Sequence, residues 1–78
     1  MENIEKYNKV FIETFDVSKD ILNELKYMSI SAWDSIGHMS LIMALEEAFK
    51  IMFDTDDIVD FSSYEKGKEI LAKYKIII

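Results

Sequence analysis

The chain has 78 residues, half of them hydrophobic, which suffices for one modest core and is too little to enclose a deep active site of its own. Fifteen acidic residues against nine basic ones give a net charge of −6, a balance that disfavours nucleic acid and anionic membrane as partners. With no cysteine there is no disulfide, no thiolate metal site and no thiol nucleophile, so the core must hold by packing alone.

The N-terminal "MENIEKYNKVF" alternates charged and apolar residues, unlike a signal peptide. Nowhere do the roughly 18 consecutive apolar residues of a membrane span occur. A single, monomeric, cytoplasmic domain over residues 1–78 is therefore expected. Ile4, Tyr7, Phe11 and Phe15 recur at spacings of three and four, which predicts an amphipathic helix over residues 2–15, interrupted by Asp16 and Ser18. Residues 16–33 read as a long connection with one helical turn around "DILNELKY", and Ile21, Leu25 and Ile30 are available to pin it to the core.

The main helix is predicted from Ser35 to about Phe49. At 100° per residue Ile42, Leu45 and Phe49 share one face with His38, while Ile36, Ser40, Met43 and Glu47 share the opposite one. A short acidic turn around Asp56 to Asp60 follows, with Asp54, Asp56 and Asp57 as its caps. Ser62 and Glu65 then match the S-x-x-E capping box before a last helix, whose Tyr64, Gly67, Leu71 and Tyr74 form one stripe. The fold class is all-α: three main helices, one short helix and a long loop after the first. "KIII" is either a frayed apolar tail or a last packed turn.

Ser35 raises the question of chemistry. As a nucleophile it needs a base, and His38 is the sole candidate nearby, but the G-x-S-x-G elbow is only half present because Trp33 stands where the first glycine belongs. Asp34 is a good N-cap, its carboxylate placed to accept from free N–H groups of the helix. The acidic segment from Asp54 lacks the oxygen ligand and glycine of a calcium hand, having Ile58 and Val59 at those places, so no metal site is expected. Trp33 is read as the anchor of the long connection, and His38 as a packing and hydrogen-bonding residue.

An Asp34-Ser35-Ile36 triplet opening a helix, the "LIMALEEAF" of residues 41–49, and then the acidic turn and capped helix of "FDTDDIVDFSSYEKGKEIL" resemble the acyl carrier proteins over essentially the whole chain. The resemblance implies a non-catalytic carrier of the small four-helix type, with Ser35, flanked by Asp34, as the attachment point for 4′-phosphopantetheine. A separate magnesium-dependent phosphopantetheinyl transferase would deliver that group from coenzyme A, and acyl-loading and acyl-transferring enzymes with basic or apolar surfaces would then be partners. The outward residues Ile36, Met39, Ser40, Met43 and Glu47 become the docking face. Flexible methionines suit exchange among several partners.

Two departures bear on subtype. Ile36 stands where leucine is usual, and "GHMSLIMAL" of residues 37–45 carries no acid, unlike the corresponding helix of fatty-acid carriers. The two-glycine stretch of peptidyl carriers is also missing, with Ala32 and Trp33 in that region. "WDSIGHMSLI" is more similar to free-standing carriers dedicated to polysaccharide modification or secondary metabolism. The competing class is a small acidic helical adaptor that binds a protein and carries nothing. The interior that would shelter an acyl chain is expected around Ile30, Ile42, Phe49 and Phe61.

Overall fold

Helix α1 (Asn3–Phe15) forms where Tyr7, Phe11 and Phe15 recur every four residues, and all three are buried in the computed structural model, which describes residues 1–78. Glu5 accepts from the Glu2 N–H at the start of the helix, and Asp16 ends it in the left-handed conformation with φ 54°. Phe11 is the hub of the core: its ring centroid lies 4.9 Å from Tyr7, 5.2 Å from Tyr64, 5.7 Å from Trp33 and 6.0 Å from Phe15. Most of these contacts are edge-to-face, the arrangement that ring quadrupoles favour.

The helical turn expected around "DILNELKY" is a 3₁₀ helix, Lys19–Glu24, which takes in the first five of those residues. The connection's deepest anchors are Leu22 and Leu25, while Ile21 and Ile30 are only half-buried. A 3₁₀ turn brings residues three apart onto one side, so Leu22 and Leu25 reach the core together. Backbone bonds hold the next residues down: Tyr27 N–H donates to Ser62 carbonyl oxygen at 2.9 Å and Tyr64 N–H to Leu25 carbonyl oxygen at 3.0 Å. The connection is thus tied to the segment that joins the last two helices.

Helix α2 (Ser35–Phe49) buries Leu41, Ile42 and Leu45 and packs along α1. Its opposite face is exposed at Ile36, Ser40, Met43 and Glu47, as the 100° projection requires. The acidic turn is a full helix, α3 (Thr55–Asp60), and α4 (Tyr64–Lys73) completes the fold with Tyr64, Gly67, Ile70 and Leu71 inward. A methyl group at Gly67 would collide with the Tyr7 hydroxyl and the Phe61 ring, so this position is where α4 closes on the core. The N-cap of α4 is Ser63, whose hydroxyl accepts from Lys66 N–H at 2.9 Å, one residue later than the predicted Ser62–Glu65 box. The terminal isoleucines pack: Ile76 and Ile78 lie against the core, and Ile76 N–H donates to Leu71 carbonyl oxygen. No helix is long and apolar enough to cross a membrane.

Asp57 does not cap α3. It is buried, and its carboxylate accepts from Lys73 Nζ and from the Tyr74 hydroxyl, which itself accepts from Asp54 N–H at 2.9 Å. Asp54 occupies the N-cap position but makes no side-chain cap bond. The Lys73 and Tyr74 hydrogen bonds hold Asp57 below the usual carboxylate range. The folded chain therefore binds this proton less readily than the unfolded chain, so the contribution is complete above about pH 4 and is lost as pH falls through the lowered folded value. Thermal unfolding followed from pH 6 to pH 2 should show a steeper acid loss of melting temperature in the wild type than in Asp57→Asn, which starts less stable at neutral pH.

Candidate functional site

Ser35 is the first residue of α2, and the local sequence explains why the helix begins there. Asp34 is extended, with φ −101° and ψ −166°, and its carboxylate accepts from Gly37 N–H at 2.8 Å. His38 N–H, the first of the regular helical donors, goes to the Asp34 carbonyl oxygen. The N–H groups of Ser35 and Ile36 have no acceptor in the protein, and the Ser35 side chain is exposed. Gly37 is required by close approach: a methyl group there would run into the Ala32 carbonyl. The long connection can therefore lie directly on the first turn of α2.

Trp33 is fully buried, with its ring stacked 5.1 Å from Phe15, and it anchors the connection as expected from its size. Its indole Nε1–H donates to His38 Nδ1 at 2.9 Å. Since indole can only donate, Nδ1 is the acceptor and the ring hydrogen of His38 sits on Nε2. That nitrogen lies 2.8 Å from the Ile58 carbonyl oxygen and donates to it. His38 thus spans from the connection to α3 with both ring nitrogens engaged. Neither is left to take a proton from Ser35, so the Ser–His hydrolase arrangement is not built here.

A cleft of about 420 Å³ opens beside Ser35, between α2 and α3. Met39, Ile58, Val59 and Phe61 form its apolar walls, and Tyr27, Ser62 and His38 supply polar groups. The Ile30, Ile42 and Phe49 expected around a sheltering interior do not line it; Ile42 is buried in the core, and of the predicted set only Phe61 reaches the cleft. Tyr27, Val59 and Ser62 carry no signal in the sequence, because loop and helix-end residues acquire a common surface only when the connection folds back. Beyond the cleft rim the exposed face of α2 presents Ile36, 77 % exposed, Met39, and Met43, 64 % exposed, with Ser40 and Glu47 alongside.

Three curated proteins, each named acyl carrier protein, are similar to this chain. Those of Buchnera aphidicola subsp. Acyrthosiphon pisum strains Tuc7 and APS are 29 % identical over 75 residues, covering 94 % of both chains. That of strain 5A is 29 % identical over 73 residues, covering 91 % of both. The chain is similar to these acyl carrier proteins over nearly its whole length. It matches no protein-family model and no solved structure. The triplet Asp34-Ser35-Ile36 falls at the start of α2, where capping and exposure separate the roles of adjacent residues. Replacing Asp34 by Ala removes the acceptor for Gly37 N–H and should cost about 1 kcal/mol in urea unfolding, whereas Ser35→Ala should stay within roughly 0.5 kcal/mol of wild type.

Proposed function

We propose that this protein is an acyl carrier: a non-catalytic cytoplasmic subunit that holds an acyl group on 4′-phosphopantetheine attached to Ser35 and presents it to partner enzymes. The observation that carries the reading is an exposed serine with two unpartnered backbone N–H groups beside it at the start of a 15-residue helix. Such a terminus favours an anion, since free amides point outward and the helix dipole is positive there, so the residues present fit a phosphodiester. When bound, the group supplies a terminal thiol, which this cysteine-free chain lacks. The similarity to three proteins named acyl carrier protein supports the same reading.

The chain's own part is to hold and present. Asp34 fixes the helix start so that the Ser35 hydroxyl projects at the end of the connection, open to the active site of a phosphopantetheinyl transferase. Ile36, Met39, Ser40, Met43 and Glu47 form the docking face, a mostly apolar strip with acidic residues confined to its C-terminal end. Partners with apolar contact surfaces and a basic margin suit it. A general fatty-acid enzyme that grips acids along this helix would find none between Ile36 and Leu45. Polysaccharide modification or secondary-metabolite assembly is the corresponding pathway class.

Incubation with coenzyme A, magnesium and a broad-specificity phosphopantetheinyl transferase should add the mass of one phosphopantetheine group to the intact protein. Ser35→Ala should abolish the addition. An unmodified wild type would instead favour a protein-binding adaptor that carries nothing.

A further inference from the structure

The cleft beside Ser35 stops at a hydrogen-bonded bar. His38 receives the Trp33 indole hydrogen on one side and donates to the Ile58 carbonyl on the other, so its ring crosses from the connection to α3. The ring lies nearly parallel to Trp33, at 13° and 6.2 Å, and edge-on to Phe61 at 6.2 Å. Behind these two rings the space is occupied by Trp33, Phe11, Phe15 and Phe53, all buried. Of the cleft-lining residues, only Phe61 belongs to the buried core.

We infer that His38, with Phe61, closes the core to the carried group, so that the protein shelters only a short acyl chain in the cleft and leaves a longer one at the surface. The inference rests on the carrier reading for its biological meaning, but the barrier is a property of the chain alone. Opening a path inward means breaking both His38 bonds together, and the first of these leaves a buried indole N–H without an acceptor. Swinging α3 outward is also opposed at the residue before Ile58, where buried Asp57 is held by Lys73 and Tyr74. A long alkyl chain displaced from the core would meet Met39 and Val59 at the cleft mouth, both exposed and apolar. There it would be accessible to a partner without having to be drawn out of the carrier.

The test needs no enzymatic loading, because the chain has no cysteine and Ser35→Cys introduces a unique thiol at the cleft rim. That variant is labelled with ethyl or octyl methanethiosulfonate, whose alkylthio group forms a mixed disulfide with the thiol as methanesulfinate leaves, and the indole Nε1–H signal of the sole tryptophan is read by ¹⁵N-correlated NMR. With His38 in place, ethyl and octyl adducts should give the same Trp33 signal. In the Ser35→Cys/His38→Ala background, the octyl adduct should move that signal relative to the ethyl adduct of the same protein. A chain-length-dependent shift with His38 present overturns the inference, and this arm stands even if the double variant fails to fold. No octyl-dependent shift in a folded double variant overturns the assignment of the barrier to His38. Failure of the carrier reading shows instead as an unmodified wild type in the transferase assay, independently of these adducts.

Discussion

Trp33 is fully buried in the core, and a buried indole N–H requires an acceptor. His38 is that acceptor, and meeting the requirement orients much of the molecule. The bond fixes the tautomer of His38, which turns its other nitrogen into a donor aimed at α3. One apolar-packing decision, burying the largest side chain to seat the connection, is thereby transmitted to the position of a helix more than twenty residues away. An unpaired indole in that place would cost about 1–3 kcal/mol, a substantial share of the stability of so small a domain.

The same arrangement explains why the serine at the start of α2 is free of catalytic machinery. A histidine three residues beyond a serine looks like a nucleophile and its base, but both His38 nitrogens are committed to structural partners. Ser35 is left exposed, next to backbone N–H groups that have no acceptor in the protein. Asp34 and Gly37 complete the division of roles. One caps the helix, and the other lets the Ala32 carbonyl come close enough for the connection to end there.

Helices α1 and α2 were legible because each is long and strongly patterned: Tyr7, Phe11 and Phe15 mark one stripe, and Asp34 is an unambiguous cap. The start of α4 was off by one because Ser62 and Ser63 both have hydroxyls able to cap, and the backbone pairing of Tyr27 with Ser62 decides which is used. Leu22 rather than Ile21 is the deep anchor because the connection adopts a 3₁₀ helix, whose period differs from the α-helical one. The burial of Asp57, in place of the capping role its position suggests, is hidden for a related reason. Three aspartates within four positions look alike in sequence, and only the approach of Lys73 and Tyr74 distinguishes the one that is buried.

The sequence by itself determined the all-helical class, the exposed apolar strip on α2 and the serine at its start, because these depend on local periodicity and capping. It also carried the resemblance to acyl carrier proteins, which the 29 % identity over 94 % of the chain bears out. Only the tertiary structure decided that His38 bridges Trp33 to Ile58, that Asp57 clamps α3 to α4, and that Tyr27, Val59 and Ser62 form one cleft with Ser35. Each of these joins residues from separate elements through a directional hydrogen bond or a shared surface. Such pairings arise from the mutual placement of elements, about which periodicity along one chain carries no information.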